Sequence, residues 1–177
     1  QDPGLGIPVS AKLLSGGGFS ATGLLKALTP AKPHVEEIGG ETMFYKWMEG
    51  KVRLSIPATI SGPIGKLEGK VEVQWQVCND KVCLPPQTEL LPISFEILDA
   101  AAALASSQEA IASGKEVSAS GARISTKSRF SQALVPSGGT VNVDITADVD
   151  FNWHLYAPEQ DPEAPGIPFK VEILSEG

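Results

Sequence analysis

Basic residues, aromatic residues and long apolar runs are all scarce in this chain of 177 residues. Lys and Arg number 14 against 21 Asp and Glu, so the net charge is −7, and no basic patch indicates a nucleic-acid partner. No apolar run approaches the roughly 20 residues of a membrane span. No signal peptide is present and the chain begins at Gln1, so we expect a mature or excised fragment.

The residue sets of common enzyme sites are also missing from the sequence. No Ser-His-Asp set or phosphate-binding glycine loop is visible. The only histidines, His34 and His154, are predicted to be structural or solvated. A copper or zinc site that combines the cysteines with Met43, Met48 or His34 is conceivable, because soft sulfur ligands suit Cu(I). No CxxC or HxxxH spacing supports it. We therefore expect neither a metal nor a bound cofactor.

What the chain does contain is typical of an all-β protein. Hydrophobic residues make up 42% of the sequence, enough for a core, and 18 Gly with 14 Pro make turns frequent and long helices unfavourable. The expected fold is an antiparallel β-sandwich. Period-two alternation predicts strands over residues 9–14, 51–57, 71–77, 90–97, 122–128, 141–147 and 153–156. Residues 19–50, which prolines and a Gly39–Gly40 pair interrupt, are predicted to be irregular.

Both cysteines lie in one stretch that follows a predicted strand. Apolar and polar residues alternate from Val71 to Val77, and the strand leads directly into Cys78. Asn79–Lys81 is polar turn material, and Pro85–Pro86 follows soon after Cys83. The pattern predicts two cysteines that face each other across the mouth of a hairpin. Cross-strand Cβ atoms lie roughly 4.5–5.5 Å apart, so a disulfide is geometrically feasible.

Two interpretations of this pair remain open from spacing alone. The cysteines could form a structural disulfide in a secreted β-sandwich interaction module. Alternatively, they could form a redox-active pair, because a bond that closes so short a loop removes little chain entropy and stabilises the fold weakly. A close cysteine pair in a hairpin favours an oxidising compartment over the cytosol in either case.

The stretch from Trp75 to Pro86 resembles the active-site hairpin of the periplasmic amino-terminal domain of DsbD, the thiol:disulfide interchange protein. The resemblance implies an immunoglobulin-like sandwich in a periplasmic or otherwise extracytoplasmic location. It implies thioredoxin-fold redox partners, a membrane-bound parent protein and a role in the cytochrome c biogenesis system. Electrons would pass through Cys78 and Cys83. The best-known members carry one more residue between the cysteines, so the turn must differ in detail.

The resemblance also assigns further site residues. By sequence order, Met43, Phe44 and Tyr45 occupy the place of the cap loop that covers the cysteines in this family. Trp153 and Tyr156 match family aromatics near the cysteines. Cys83 is the candidate for the mixed disulfide with partners. For the cap residues Met43, Phe44 and Tyr45 and for the aromatics Trp153 and Tyr156, a place in the sandwich core remains the alternative. Lys81 would favour a thiolate and Asp80 would disfavour it.

An internal repeat predicts how the chain is divided. Gln1–Ser15 is similar to Gln160–Ser175, with one residue inserted in the second copy. Residues 118–177, with their Pro-Ser-Gly-Gly turn and Asn-Trp-His-Leu-Tyr stretch, resemble the front of a DsbD-type unit. Residues 1–98 resemble its back, and the Ala-rich residues 99–117 are predicted to form a short linker helix. We expect both parts to complete one sandwich, within one chain or through a domain-swapped assembly.

Overall fold

The computed structural model describes residues 8–14, 18–38, 40–99, 117–121, 123–132 and 134–160. Within these ranges there are fourteen strands and no helix. In chain order they are β1 (Ser10–Leu14), β2 (Phe19–Ala21), β3 (Lys26–Ala27), β4 (Lys32–Ile38), β5 (Glu41–Glu49), β6 (Lys51–Ile60), β7 (Gly65–Trp75), β8 (Val77–Cys78), β9 (Gln87–Leu98), β10 (Val117–Gly121), β11 (Ile124–Phe130), β12 (Leu134–Pro136), β13 (Thr140–Val149) and β14 (His154–Tyr156). The predicted all-β antiparallel sandwich is confirmed.

The strands form three sheets. The first has the order β1-β7-β9-β12, and the second has the order β10-β11-β13-β6-β2, with β3 also paired to β6. The third has the order β4-β5-β14-β8. Neighbouring strands are antiparallel except for β12 and β9, which are parallel. No helix in the described ranges is long and apolar enough to cross a membrane.

Alternating side chains from all three sheets fill one main core. In β6 and β13 the apolar residues face inward at every second position, and the two strands pair from Thr140 opposite Thr59 to Asp148 opposite Lys51. The largest fully buried side chains of the core are Trp75, Phe130, Met48, Leu54, Ile56, Ile60, Leu91, Ile97, Ile145 and Leu155. Burial of this apolar surface is the main force that holds the sheets together.

One contact between the first two sheets depends on a glycine. Gly69 stands at an inward position of β7, and the ring of Phe19 from β2 fills the space where a side chain would otherwise lie. A Cβ atom at Gly69 would lie 2.1 Å from Cζ of Phe19. The absence of a side chain at this position therefore allows β2 to pack against β7.

Between β7 and β8 the chain crosses from the first sheet to the third. β7 ends at Trp75 and β8 starts at Val77, so Gln76 marks the switch from pairing with β9 to pairing with β14. One face of the third sheet carries Met48, Leu155 and Val77, which are all part of the main core. The opposite face carries Cys78 and a separate cluster of side chains. The switch therefore brings the first cysteine onto a second, smaller cluster.

The prediction that residues 19–50 are irregular is wrong, since this region contains β2, β3, β4 and β5. Pro33 indicated a break, but it lies in β4, which is an edge strand and, among the described strands, pairs with β5 alone. A proline is tolerated at a sheet edge because a missing N–H there need not remove a ladder bond. Of the Gly39–Gly40 pair, Gly40 is the described residue, and it lies just before β5 with φ +88°.

Strands from both predicted parts of the chain share sheets. β13 pairs with β6, and β14 lies between β5 and β8, all within one chain. Of the predicted linker helix over 99–117, residues 100–116 lie outside the described residues, and Val117 begins β10. Most of the repeat also lies outside them. The division of the chain into 1–98, 99–117 and 118–177 stays a prediction.

Candidate functional site at the disulfide hairpin

A disulfide joins Cys78 to Cys83 at the end of a small hairpin. The Cα atoms of the two cysteines lie 4.0 Å apart, and the residues form an isolated antiparallel bridge. Two backbone hydrogen bonds flank the bond: Asn79 N–H donates to the Val82 carbonyl at 3.0 Å, and Leu84 N–H donates to the Val77 carbonyl at 2.9 Å. The cysteines therefore face each other across the hairpin mouth, as the spacing predicts.

The side chain of Asn79 organises the turn between the cysteines. Its Oδ1 atom accepts hydrogen bonds from the backbone N–H groups of Lys81 and Val82, each at 2.9 Å. Asparagine commonly closes turns in this way. These hydrogen bonds do not involve sulfur, so they can still hold the turn together when the disulfide is reduced.

The two sulfurs of the pair differ in their surroundings. Cys78 lies on β8, opposite His154 in the ladder with β14, and only 1% of its surface is exposed. Cys83 lies outside the named strands and is half-buried. Val82, beside it, is 51% exposed. A partner that approaches the hairpin therefore meets Cys83 before Cys78.

Side chains on the outer face of the third sheet surround Cys78. Met43, Tyr45 and Tyr156 form a buried cluster with it, and Trp47 and Cys83 pack against this cluster. We call the five rings on this face, His34, Tyr45, Trp47, His154 and Tyr156, the aromatic cluster. They form a continuous series of ring contacts from the edge strand β4 to β14.

The indole of Trp47 lies between the two histidines. Its ring centroid is 3.8 Å from that of His34 and 4.0 Å from that of His154. Tyr156 meets His154 edge-on at 5.5 Å and Tyr45 at 5.7 Å. These contacts come from alternate residues of three neighbouring strands, so the strand register fixes the order of the rings.

Tyr45 is held as a neutral hydrogen-bond donor. Its hydroxyl donates to the Glu36 carboxylate on β4. Burial, followed by the hydrogen bond and negative charge of Glu36 and the nearby Tyr156, raises the pKa of Tyr45 far above its usual value. The phenol therefore remains protonated at neutral pH and does not serve as a base there.

His154 is buried without a partner for one ring nitrogen. Its surface is 4% exposed, and Nε2 has no hydrogen-bond partner among the described residues. Burial lowers the pKa of His154, the carboxylates of Asp80 and Glu49 oppose this shift, and His34 adds to it. The imidazole is therefore neutral at neutral pH.

The structure separates the residues that sequence analysis assigned to the site. Met43, Tyr45 and Tyr156 lie in the cluster with Cys78, whereas Phe44 points to the opposite face of β5 and is 53% exposed. Trp153 packs against the main core, beneath the guanidinium of Arg123 at 5.7 Å. Residues 43–45 belong to strand β5, so they do not form the loop that was expected for a cap.

Sequence analysis missed the contribution of Trp47 and both histidines. Strand alternation could have placed Trp47 and His154 in the site. Trp47 follows Tyr45 by two residues, and His154 precedes Tyr156 by two, so the members of each pair share a face. The copper-site hypothesis is weakened because Met48 lies in the main core, on the other face of β5 from Met43. In the described part of the chain no group of three or more His, Cys, Asp and Glu residues is placed to hold a metal ion.

Residues 13–94 match a model of a known protein family. The matching family is described as Thiol:disulfide interchange protein DsbD, N-terminal. Comparison with curated proteins and with solved structures gave no match. The matched region contains the whole disulfide hairpin and the β4–β5 pair that carries most of the aromatic cluster.

Proposed function

We propose that this chain exchanges thiols and disulfides with partner proteins through Cys78 and Cys83, because residues 13–94 match the family of the amino-terminal domain of the thiol:disulfide interchange protein DsbD. The observation that carries the proposal is the unequal exposure of the two sulfurs. A partner thiolate needs access to only one of them, because exchange proceeds through a mixed disulfide.

The proposed reaction uses the hairpin asymmetrically. A partner thiolate attacks Sγ of Cys83, the Cys83–Cys78 bond breaks, and Cys78 leaves as a thiolate. A second partner thiol then releases the partner disulfide and leaves the pair reduced. The reverse sequence passes the two electrons to the next protein. The two electrons move only between sulfur atoms of this protein and its partners, so the proposed reaction needs no bound cofactor.

The proposed partners are thioredoxin-fold proteins or domains in the periplasm. The matched family is a periplasmic domain type. Val82 and the half-buried Cys83 offer a small accessible surface to a partner. One thioredoxin-like domain would deliver electrons, and periplasmic acceptors would receive them. The parent protein would then link this domain to the membrane.

A structural disulfide in a secreted interaction module is the second candidate. The 1% exposure of Cys78 favours it, since a buried sulfur is shielded from chemistry. The Asn79 side chain and the flanking backbone bonds oppose it, because they already hold the hairpin closed. A bond across so short a loop then adds little stability.

We also propose that residues 1–98 and 118–177 complete one DsbD-type sandwich. Support comes from β14, which lies between β5 and β8 and covers Cys78 with His154 and Tyr156. Assembly within one chain predicts a monomer in analytical ultracentrifugation at micromolar concentration. A stable dimer or a ladder of polymers would instead favour exchange of the second part between chains.

Incubation of the oxidised protein with an excess of reduced thioredoxin tests the exchange function. After acid quenching, a maleimide mass tag counts the free thiols. We expect two tags per chain within minutes, and the double variant Cys78→Ser/Cys83→Ser serves as the untagged control. If the disulfide of the native protein is not reduced, and thiols appear only when the protein is unfolded in the presence of the reductant, the disulfide is structural.

A further inference from the structure

His154 occupies the position directly opposite Cys78. The two residues are partners in the antiparallel β8–β14 register, so their side chains leave the sheet on the same face. Directly opposed Cβ atoms in such a ladder are roughly 4.5–5.5 Å apart. An imidazole at this position is therefore within reach of the sulfur on the neighbouring strand.

The free nitrogen of His154 calls for an explanation. A buried polar atom without a partner costs free energy, so native proteins rarely keep one. Nε2 of His154 is such an atom when the disulfide is closed. A closed disulfide offers this nitrogen no proton, whereas a reduced Cys78 carries an S–H group beside it. The reduced state of the pair therefore supplies the partner that the oxidised state lacks.

We propose that His154 Nε2 accepts the proton of the Cys78 thiol when the reduced pair is oxidised, a role that rests on the proposed exchange function. In this step Cys83 is already joined to the partner protein as a mixed disulfide. The Cys78 proton moves to Nε2, and the Cys78 sulfur attacks Sγ of Cys83. The Cys78–Cys83 bond forms, the Cys83–partner bond breaks, and the partner leaves as a thiolate that carries two electrons.

The groups around His154 fit this role. On β5 the ring of Trp47 packs against the imidazole in a tilted arrangement, with centroids 4.0 Å apart, and restricts its rotation. Glu49, also on β5, and Asp80 in the hairpin turn place negative charge near the ring, which stabilises the imidazolium once it forms. Tyr156, on the same strand as His154, meets its ring edge-on.

The remaining titratable neighbours do not replace His154. His34 on β4 lies on the far side of the Trp47 ring. The hydroxyl of Tyr45 on β5 is committed to Glu36 on β4. Lys32 on β4 forms an ion pair with Glu49. Among these groups, only His154 stands directly opposite Cys78 in the ladder with a free nitrogen.

The test compares His154→Gln with His34→Gln and with the wild-type protein. The reduced proteins are mixed with oxidised thioredoxin between pH 6 and pH 10, and the rate of disulfide formation is measured by quenched mass tagging. We expect His154→Gln to be slower than wild type by at least about tenfold at pH 7, a modest value for general-base catalysis. The deficit should shrink as the pH rises towards 10, because a thiol that ionises in alkaline solution no longer needs a base. His34→Gln disturbs the ring packing but leaves His154 opposite Cys78, so it should keep the shape of the wild-type pH profile.

The outcomes separate the two proposals. A wild-type protein that fails to react at any pH would overturn the exchange function itself. A wild-type protein that reacts, with His154→Gln slowed by the same factor at every pH or not at all, would overturn only the role of His154. If the variant does not fold, NMR titration of the wild type decides: the pKa of His154 should change on reduction, and an unchanged value overturns the proposal.

Discussion

Cys78 and Cys83 share one disulfide but differ in access, since Cys78 is 1% exposed within the aromatic side chains and Cys83 is half-buried beside the exposed Val82. This asymmetry gives the hairpin a direction. An incoming sulfur reaches Cys83, and the leaving sulfur departs into a buried site opposite His154. The proposed mechanism follows from this arrangement.

The first prediction concerns the two single-cysteine variants. Cys78→Ser leaves the accessible Cys83 as a thiol, so it should readily form a mixed disulfide with a thioredoxin-fold protein whose single cysteine is joined to thionitrobenzoate, which leaves as the thiolate. Cys83→Ser leaves only the buried Cys78 and should form little or none. Non-reducing gel electrophoresis measures both yields. Equal yields, or a preference for Cys83→Ser, would contradict the assignment of Cys83 as the attacked sulfur.

The second prediction concerns the shielding of the disulfide. Tyr45 packs with Cys78, whereas its neighbour Phe44 lies on the other face of β5 and serves as the matched control. Tyr45→Ala should accelerate reduction of the native protein by dithiothreitol, because it opens the cover over the sulfurs. Phe44→Ala should leave that rate unchanged and cost less than the roughly 3–5 kcal/mol of a buried Phe deletion. The rates are followed by thiol tagging.

A cover formed by Tyr45 has a clear alternative. If Phe44→Ala accelerates reduction and Tyr45→Ala does not, the side chains that shield the disulfide lie on the face of β5 that carries Phe44, which would contradict the structure. Measurement of both rates at two low urea concentrations separates local opening from unfolding. An acceleration that depends steeply on urea would come from global unfolding and not from loss of the cover.

The third prediction concerns the pH dependence of stability. Burial lowers the pKa of His154 in the folded state, while the unfolded chain should show the usual histidine value of about 6.5. The unfolded state therefore binds more protons as pH falls below about 6.5, and the free energy of unfolding should decrease there. Above that pH this contribution to stability is fully present.

Urea denaturation at pH 7.5, 6.5 and 5.5 checks the sign of this effect. The midpoint for the wild type should fall with pH, and His154→Gln should fall less steeply. His34→Gln removes a histidine from the same aromatic cluster and controls for a general loss of ring packing. A steeper fall in His154→Gln than in the wild type would show that the buried imidazole is not the group responsible.

The sequence predicted the core strands because their alternation is strong. Val71, Val73 and Trp75 face inward in β7, as their spacing indicates. The edge strand β4 was missed because its side chains are mostly exposed, so burial imposes no regular pattern there, and because Pro33 suggested a break in the sequence. Short edge strands are specified mainly by their neighbours, and single-strand periodicity does not reveal those neighbours.

The candidate site was predictable only in part for a similar reason. The cysteine pair is local in sequence, so its hairpin could be predicted from spacing. The position of His154 opposite Cys78 depends on the pairing of β14 with β8, which are far apart in the chain. Family resemblance assigned both Tyr156 and Trp153 to the surroundings of the cysteines. Tyr156 packs with Cys78, whereas Trp153, which precedes β14, packs against the main core, the alternative that sequence analysis left open.

The fourth prediction tests the packing of the first sheet against the second. Gly69→Ala would place a Cβ atom 2.1 Å from Cζ of Phe19, and such overpacking typically costs about 1–3 kcal/mol. The smaller Phe19→Leu change should relieve this clash, so the double variant should be more stable than the sum of the single costs predicts. Urea denaturation of all four proteins measures the coupling. Strictly additive costs would show that the two residues do not meet.

The reduction potential of the Cys78–Cys83 pair tests the central claim most directly. The protein is equilibrated in dithiothreitol redox buffers, and the fraction of reduced pair is measured by thiol tagging. A working exchange couple should have a potential near the thioredoxin-like range, about −270 to −180 mV. A value below about −300 mV, together with no exchange with reduced thioredoxin, would identify a structural disulfide and contradict the proposed function.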